Sequence, residues 1–333
     1  MPLAFVTGAT GFVGLNLIQA LARDGWDVVA LHRATSDVAL LDHWGVQRQT
    51  GDITDLASVR DAMPEHPDVV FHVAGDTSLW RRHRAGQTLV NVRGTRNLVK
   101  VALERRATRF VHTSSAVAFG LHSGRINEQT PVSAAKSPID YVRTKALAER
   151  EIRRGIARGL QAVILNPANI LGRHDYNNWS KLFQLVQQRR LPGMPDGGGS
   201  FCHAEAVAAA HLAAAEQGRV GCNYLLGGQD GLADEFLGDI LADFERVEAG
   251  HHGLVREHGL RIHHDGAQMG LVPARGDAVE RGSHVAVELV ARHVGVDMAG
   301  QAIAEASVLE DLGAFGRVAR RAGQGRRRWQ RRR

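Results

Sequence analysis

Three groups of residues in this 333-residue chain have the types and spacing to do chemistry. The first is Tyr141 and Lys145, which at i and i+4 of a helix share one face. A free phenol has a pKa near ~10. A lysine ammonium beside it favours the phenolate and brings the group toward working pH, as acid–base chemistry requires. The second is the hydroxyl run Thr113-Ser114-Ser115, whose members can hydrogen-bond and polarise an oxygen. The third is the glycine set Gly8, Gly11 and Gly14 in Phe5-Val6-Thr7-Gly8-Ala9-Thr10-Gly11-Phe12-Val13-Gly14. Gly8 can take a tight turn, Gly11 leaves room for backbone to approach a pyrophosphate, and Gly14 permits close helix packing. The helix that follows offers free N–H groups and a positive dipole end to phosphates.

Alternating strands and helices must position these groups. Leu3–Val6 reads as a buried strand, and an amphipathic helix through Leu21 follows the glycines, closed by Gly25. Further strands are expected over Asp27–Leu31, Gln47–Thr50, Asp68–Gly75 with its Ala-Gly end, Arg109–Ser115 running into its hydroxyls, and Ala162–Leu165. The helix beginning at Leu56 is expected to be capped by Thr54. Asp140 or Ser137 is expected to cap the Tyr141 helix, with Pro138 in its first turn. This regular alternation implies right-handed βαβ units and a doubly wound parallel α/β sheet. Ligands on such sheets bind beyond the carboxyl ends of the strands, where the three hydroxyls arrive.

Composition narrows the function classes. The net charge is +6, but nine arginines and no acid lie between Arg317 and Arg333, and the rest of the chain is mildly acidic. The tail is expected to be disordered, and nucleic-acid binding through it has no aromatic groove behind it, only Trp329. Cys202 and Cys222 are too few for a disulfide framework, which points to a reducing cytoplasm. With a strand beginning at residue 3, no leader is expected, and no apolar run approaches the length of a membrane span. His251-His252 and His263-His264 lack metal-ligand spacing, so no metal is expected.

The spacing G-x-x-G-x-x-G, the hydroxyl strand and Tyr-x-x-x-Lys together resemble the extended branch of the short-chain dehydrogenase/reductase superfamily. The resemblance covers roughly residues 3 to 230. Within the superfamily, Gly75-Asp76-Thr77-Ser78-Leu79-Trp80, Tyr141–Lys145, Asn166–Ile170 and Phe201-Cys202-His203 look most like the dihydroflavonol-4-reductase-like and 3β-hydroxysteroid-dehydrogenase-like reductases. The resemblance implies a Rossmann-type fold with a smaller, mostly C-terminal substrate lobe. It implies Ser115, Tyr141 and Lys145 as the catalytic set, with Ser114 the alternative serine. It places Gly8, Thr10, Gly11, Phe12, Val13, Gly14, Asp52, Ile53, Ala74, Gly75, Tyr141, Lys145, Pro167, Ala168 and Ile170 along a nicotinamide dinucleotide. Asn91 is expected to brace helix and strand ends. His203 is expected to be a structural hydrogen-bonder. The second strand ends in His32-Arg33 where an NAD-binding unit carries an acid. Arg33 can pair with a 2′-phosphate, so NADP is expected over NAD. The implied reaction is reduction of a ketone or aldehyde to an alcohol. A homodimer through helices around 86–105 and 138–155 is implied by resemblance alone.

The domain division expected is residues 1–165 for the dinucleotide, 166–316 for the substrate and 317–333 for the tail. Beyond Gly231 the resemblance stops, and two readings stay open. One is a divergent lid with helices such as 235–247 and 285–294; the other is a shift of reading frame near Gly228–Asp239. Two other functions would use the same residues: a nucleotide-sugar epimerase or dehydratase that keeps its NAD, and a cofactor-binding protein without turnover.

Overall fold

The computed structural model describes residues 1–78, 84–120, 122, 126–188, 190 and 198–232. The expected lid helices, the part of the Gly228–Asp239 stretch beyond Leu232 and the arginine tail lie outside these residues, as do Leu79 and Trp80.

The first half runs β1 (Leu3–Thr7), α1 (Phe12–Arg23), β2 (Asp27–His32), α2 (Ala39–Asp42), β3 (Gln47–Thr50), α3 (Leu56–Ala62) and β4 (Val69–His72). A short helix α4 (Arg84–Thr88) opens into a wider π-type turn over Leu89–Gly94 and then continues as α5 (Thr95–Glu104). Next come β5 (Arg109–Thr113), α6 (Asp140–Ile156), β6 (Ala162–Pro167), β7 (Asn169–Leu171), α7 (Trp179–Gln187), β8 (Gly198–His203), α8 (Ala204–Gln217), β9 (Asn223–Leu226) and β10 (Gln229–Leu232).

Seven strands form one sheet in the order β3-β2-β1-β4-β5-β6-β9, with every neighbouring pair parallel. In the inner strands β1, β2, β4, β5 and β6 side chains alternate between two buried faces, which is why these strands read as largely apolar runs, whereas the edge strand β3 is polar and exposed. Ala4, Val6, Val28, Phe71 and Val111 face Leu17, Ile18 and Leu21 of α1 and Leu212 of α8. Phe5, Val29, Val70, Phe110 and Ile164 face Val59 of α3, Leu98 of α5 and Ile152 of α6. The strand order reverses between β1 and β4, so the helices flanking these strands diverge and leave a crevice at their carboxyl ends. A second sheet, β10-β8-β7, joins β7 to β8 in parallel and β8 to β10 antiparallel. The expected boundary at 165/166 falls inside β6, and β9 returns to the large sheet.

Two caps differ from expectation. Asp55, not Thr54, caps α3, its side chain accepting from the Ala57 N–H at 3.0 Å. An acidic side chain one residue nearer the first turn meets the free N–H directly, while Thr54 N donates to Asp52 Oδ1 at 2.8 Å. The cap position of α6 is Ile139, which carries no side-chain cap bond. Ser137 Oγ instead accepts from the Ile139 N–H at 3.2 Å, and Asp140 sits inside the first turn, paired with Arg143 and, at 3.1 Å, with Arg84.

Candidate active site

The glycine loop shapes one end of the crevice. Gly8 has φ +73°, and a Cβ there would lie 2.6 Å from the Ala74 N. A Cβ on Gly14 would overlap the Gly8 carbonyl oxygen. The first turn of α1 can therefore close over its own loop only with glycine at both places. Gly11 holds the N-cap position of α1 with no side-chain cap. The first-turn N–H groups are thus not claimed by a capping side chain, as an anion site requires. These features fit a dinucleotide pyrophosphate.

The other end is built by β5 and α6. Lys145 is 5% exposed, and its Nζ donates to the Thr113 carbonyl at 3.0 Å. A Cβ on Gly75 would stand 3.3 Å from that Nζ, so the end of β4 also closes on it. Burial pushes the Lys145 ammonium down to about 8, opposed by the negative charge of Glu149. Tyr141, one turn earlier, is pushed up by burial, and a Ser115 side-chain hydrogen bond opposes the rise. Lys145 spends a hydrogen bond on the Thr113 backbone, and desolvation is the dominant effect on the tyrosine.

The two serines separate. Ser115 caps the short 3-10 turn Ala116–Phe119, its Oγ accepting from the Val117 N–H at 3.5 Å, and it reaches Tyr141. Ser114 Oγ turns away and donates to Glu149 Oε1 at 2.5 Å. Asn91 sits in the π-type turn and brackets Asp76: its Oδ1 accepts from the Asp76 N–H at 2.7 Å and its Nδ2 donates to the Asp76 carbonyl at 2.9 Å. The same Nδ2 donates to Thr144 Oγ1 at 3.0 Å, tying α6 to the end of β4. His203 Nδ1 accepts from the Glu205 N–H at 3.3 Å and caps α8.

One cleft of about 910 Å³ gathers all the residues singled out in the sequence for catalysis or cofactor binding. Gly8, Thr10, Gly11, Phe12, Val13 and Gly14 line it, with His32, Arg33, Asp52 and Ile53 beyond the glycine loop and β2. Ala74, Gly75, Ser115, Tyr141, Lys145, Pro167, Ala168 and Ile170 line the rest. Ser36 and a rim formed by His174–Trp179, Lys181 and Leu182 complete it. Asp175 holds that rim, accepting from the Asn178 N–H at 2.9 Å and the Ser180 N–H at 3.3 Å. Among the described residues no group of histidine, cysteine and acidic side chains could hold a metal, and no helix is long and apolar enough to cross a membrane.

Glu149, Asn166 and Asn223, a buried polar cluster behind the serines, escaped the sequence reading. The one available signal was Glu149 at i+4 from Lys145, a spacing that also describes any exposed ion pair on a helix.

Comparison with known proteins agrees with this geometry. Residues 4–227 match the NAD dependent epimerase/dehydratase family. The chain is 37% identical over 227 residues to sterol demethylase protein B of Methylococcus capsulatus, covering 67% of this chain and 69% of that one. It is 32% identical over 228 residues to a Stigmatella aurantiaca protein, 4-hydroxy-2-methyl-3-oxo-4-farnesyl-3,4-dihydroquinoline-1-oxide ketoreductase, covering 67% of each. The crystal structure of gox2253 superposes with a TM-score of 0.69 at 30% identity, covering 74% of this chain and 76% of that one. The chain belongs to the NAD dependent epimerase/dehydratase family and is an NAD(P)-dependent oxidoreductase of the extended short-chain dehydrogenase/reductase type.

Proposed function

We propose that this chain reduces a ketone or aldehyde to an alcohol, with NADPH as hydride donor. The observation that carries the reading is the convergence of Ser115, Tyr141 and Lys145 on one cleft at the carboxyl ends of the parallel strands. The glycine loop and the start of α1 would hold the pyrophosphate, and Arg33 with Ser36 the 2′-phosphate, since no acid stands at the end of β2 to repel it. The bound nicotinamide supplies the hydride. Tyr141 Oη holds the proton that the reduced oxygen needs. The Ser115 hydroxyl donates to the same oxygen and stabilises the charge that develops there. Lys145, buried beneath, holds positive charge behind the phenol and favours its return to the anion after proton release. The similarity to a named ketoreductase supports the reaction class. The cofactor preference rests on Arg33. The reading includes a reducing intracellular setting and a pair of copies joined across α5 and α6.

The test is mass spectrometry of the purified chain, native and then denatured, followed by binding of NADPH and NADH. Protein that arrives empty, takes up NADPH more tightly than NADH and reduces members of a carbonyl panel supports the reading. Tyr141→Phe is then expected to keep cofactor binding while turnover falls by ~10²–10⁴. Near-stoichiometric NAD that survives purification would replace this reading with an epimerase or dehydratase cycle.

A further inference from the structure

Behind the serines lies a polar cluster that does not line the cleft. Its centre is Glu149, 1% exposed, on the face of α6 that carries Lys145 one turn earlier. Glu149 Oε1 accepts from Ser114 Oγ at 2.5 Å and from Asn166 Nδ2 at 2.7 Å. Its Oε2 accepts from Asn223 Nδ2 at 3.1 Å, and the Arg153 guanidinium lies 4.0 Å away. Asn166 Nδ2 also donates to the Ser115 carbonyl at 3.0 Å, and Asn166 Oδ1 accepts from Asn223 at 2.8 Å. One carboxylate thus joins α6 to the ends of β5 and β6 and to the start of β9. Burying an ionised carboxylate is costly unless its oxygens are hydrogen-bonded. Here both are, by three side chains. An apolar residue would fill the same space without that cost, so the charge itself calls for a reason.

The neighbours give one. Ser115 follows Ser114 and reaches Tyr141; Pro167 follows Asn166 and lines the cleft; Lys145 stands one helical turn from Glu149. The titratable groups acting on Lys145 are few. His72 from β4 and His112 from β5 interact with it electrostatically, and burial keeps both imidazoles neutral. Tyr141 shares its helix face, and Glu149 is the acid whose charge acts on the ammonium.

We propose that Glu149 is a positioning residue: its buried carboxylate fixes the Ser115 turn and the Pro167 strand end against α6 and sets a negative counter-charge one helical turn from Lys145. The assignment rests on the reductase reading for its consequence, but not for its test. The chain has four lysines, Lys100, Lys136, Lys145 and Lys181. Full-length protein labelled with ¹³C at lysine Cε therefore gives four signals to follow by NMR across a pH titration. The wild-type Lys145 signal is expected to titrate near 8, well below an ordinary lysine. In Glu149→Gln its midpoint is expected to fall by about one further pH unit. In Glu149→Asp, which keeps the charge but draws it back by one methylene, the fall should be smaller. An unchanged Lys145 midpoint in Glu149→Gln overturns the proposal. If that variant does not fold, the aspartate variant decides: a lowered midpoint upholds the proposal and an unchanged one overturns it. A merely structural hydrogen-bond hub predicts lost thermal stability with no movement of Lys145. Because the titration reads no turnover, failure of the carbonyl-reduction reading would leave its outcome intact.

Discussion

Two hydroxyls one residue apart hang from the end of β5, and the backbone sends them in different directions. Ser115, extended at φ −160° and ψ 153°, starts the turn that lines the cleft and meets Tyr141. Ser114 faces inward to Glu149. Their alanine variants should therefore fail differently. Under the proposed reaction Ser115→Ala removes a donor to the developing oxyanion, and turnover is expected to fall by about 10²-fold with the thermal midpoint near wild type. Ser114→Ala leaves the Glu149 carboxylate one donor short, and a loss of about 1–3 kcal/mol of stability is expected. Turnover of the folded fraction should then be the less affected of the two. Parallel measurement of unfolding and of carbonyl reduction checks both, and the reverse pattern would move the polarising role to Ser114.

Strands of the central sheet carry a second set of polar residues where a purely apolar core would serve. His72 on β4 hydrogen-bonds Thr7 Oγ1 at 2.9 Å through Nδ1 and Thr95 Oγ1 at 2.8 Å through Nε2. His211 on α8 bonds Thr113 Oγ1 at 2.7 Å and the Val207 carbonyl at 2.7 Å. His112 lies tilted against His72, with ring centroids 5.0 Å apart. Burial lowers His72 to about 3 and His211 to about 4, and holds His112 well below its ordinary value. Each folded value lies under the unfolded value of 6.5, so the unfolded chain takes up protons that the native sheet refuses. Stability is therefore complete above about pH 6.5 and is lost as pH falls toward 3 to 4, by several kcal/mol in total. Thermal unfolding followed from pH 7 to pH 4 should show a steep decline. His72→Gln, which keeps a partner in reach but removes the titration, should make that decline shallower; an equal slope in the variant would assign acid lability elsewhere. These histidines also mark how far the sequence could be read. Buried parallel strands, a glycine turn and Tyr-x-x-x-Lys are local patterns, so the sheet and the cleft lining were legible. The β4 histidine interrupts an apolar run without showing what it bonds, because Thr7 and Thr95 are far away in sequence. The π-type turn at Asn91 and the burial of Glu149 are set by tertiary packing, which helix periodicity does not encode.

At the scale of the whole molecule, the cleft lies at the carboxyl edge of the sheet while α5 and α6 lie on one of its faces. The outer surface of that pair is basic. Arg93 in the π-type turn, Arg96 and Lys100 on α5, and Arg150, Arg153 and Arg154 on α6 are exposed. The balancing acids are few: Glu151 is buried between Arg96 and Arg154, and Glu104 pairs with Arg60. Leu89, 44% exposed, is the large apolar side chain offered at the head of this surface. A two-fold pair across α5 and α6 sets the same patch against itself, so arginines face arginines. Screening then decides its strength. The Debye length shrinks from about 10 Å at ~0.1 M salt to about 3 Å at ~1 M, and repulsion across the interface shrinks with it. The proposed homodimer should therefore tighten as salt is raised, the reverse of an interface held by ion pairs. Sedimentation velocity at low and high salt measures this directly, and Arg150→Gln should raise the dimer fraction at low salt while flattening the salt dependence. A dimer that loosens with salt would place the contact on another face, and a monomer at every salt concentration would remove the pair from the reading altogether.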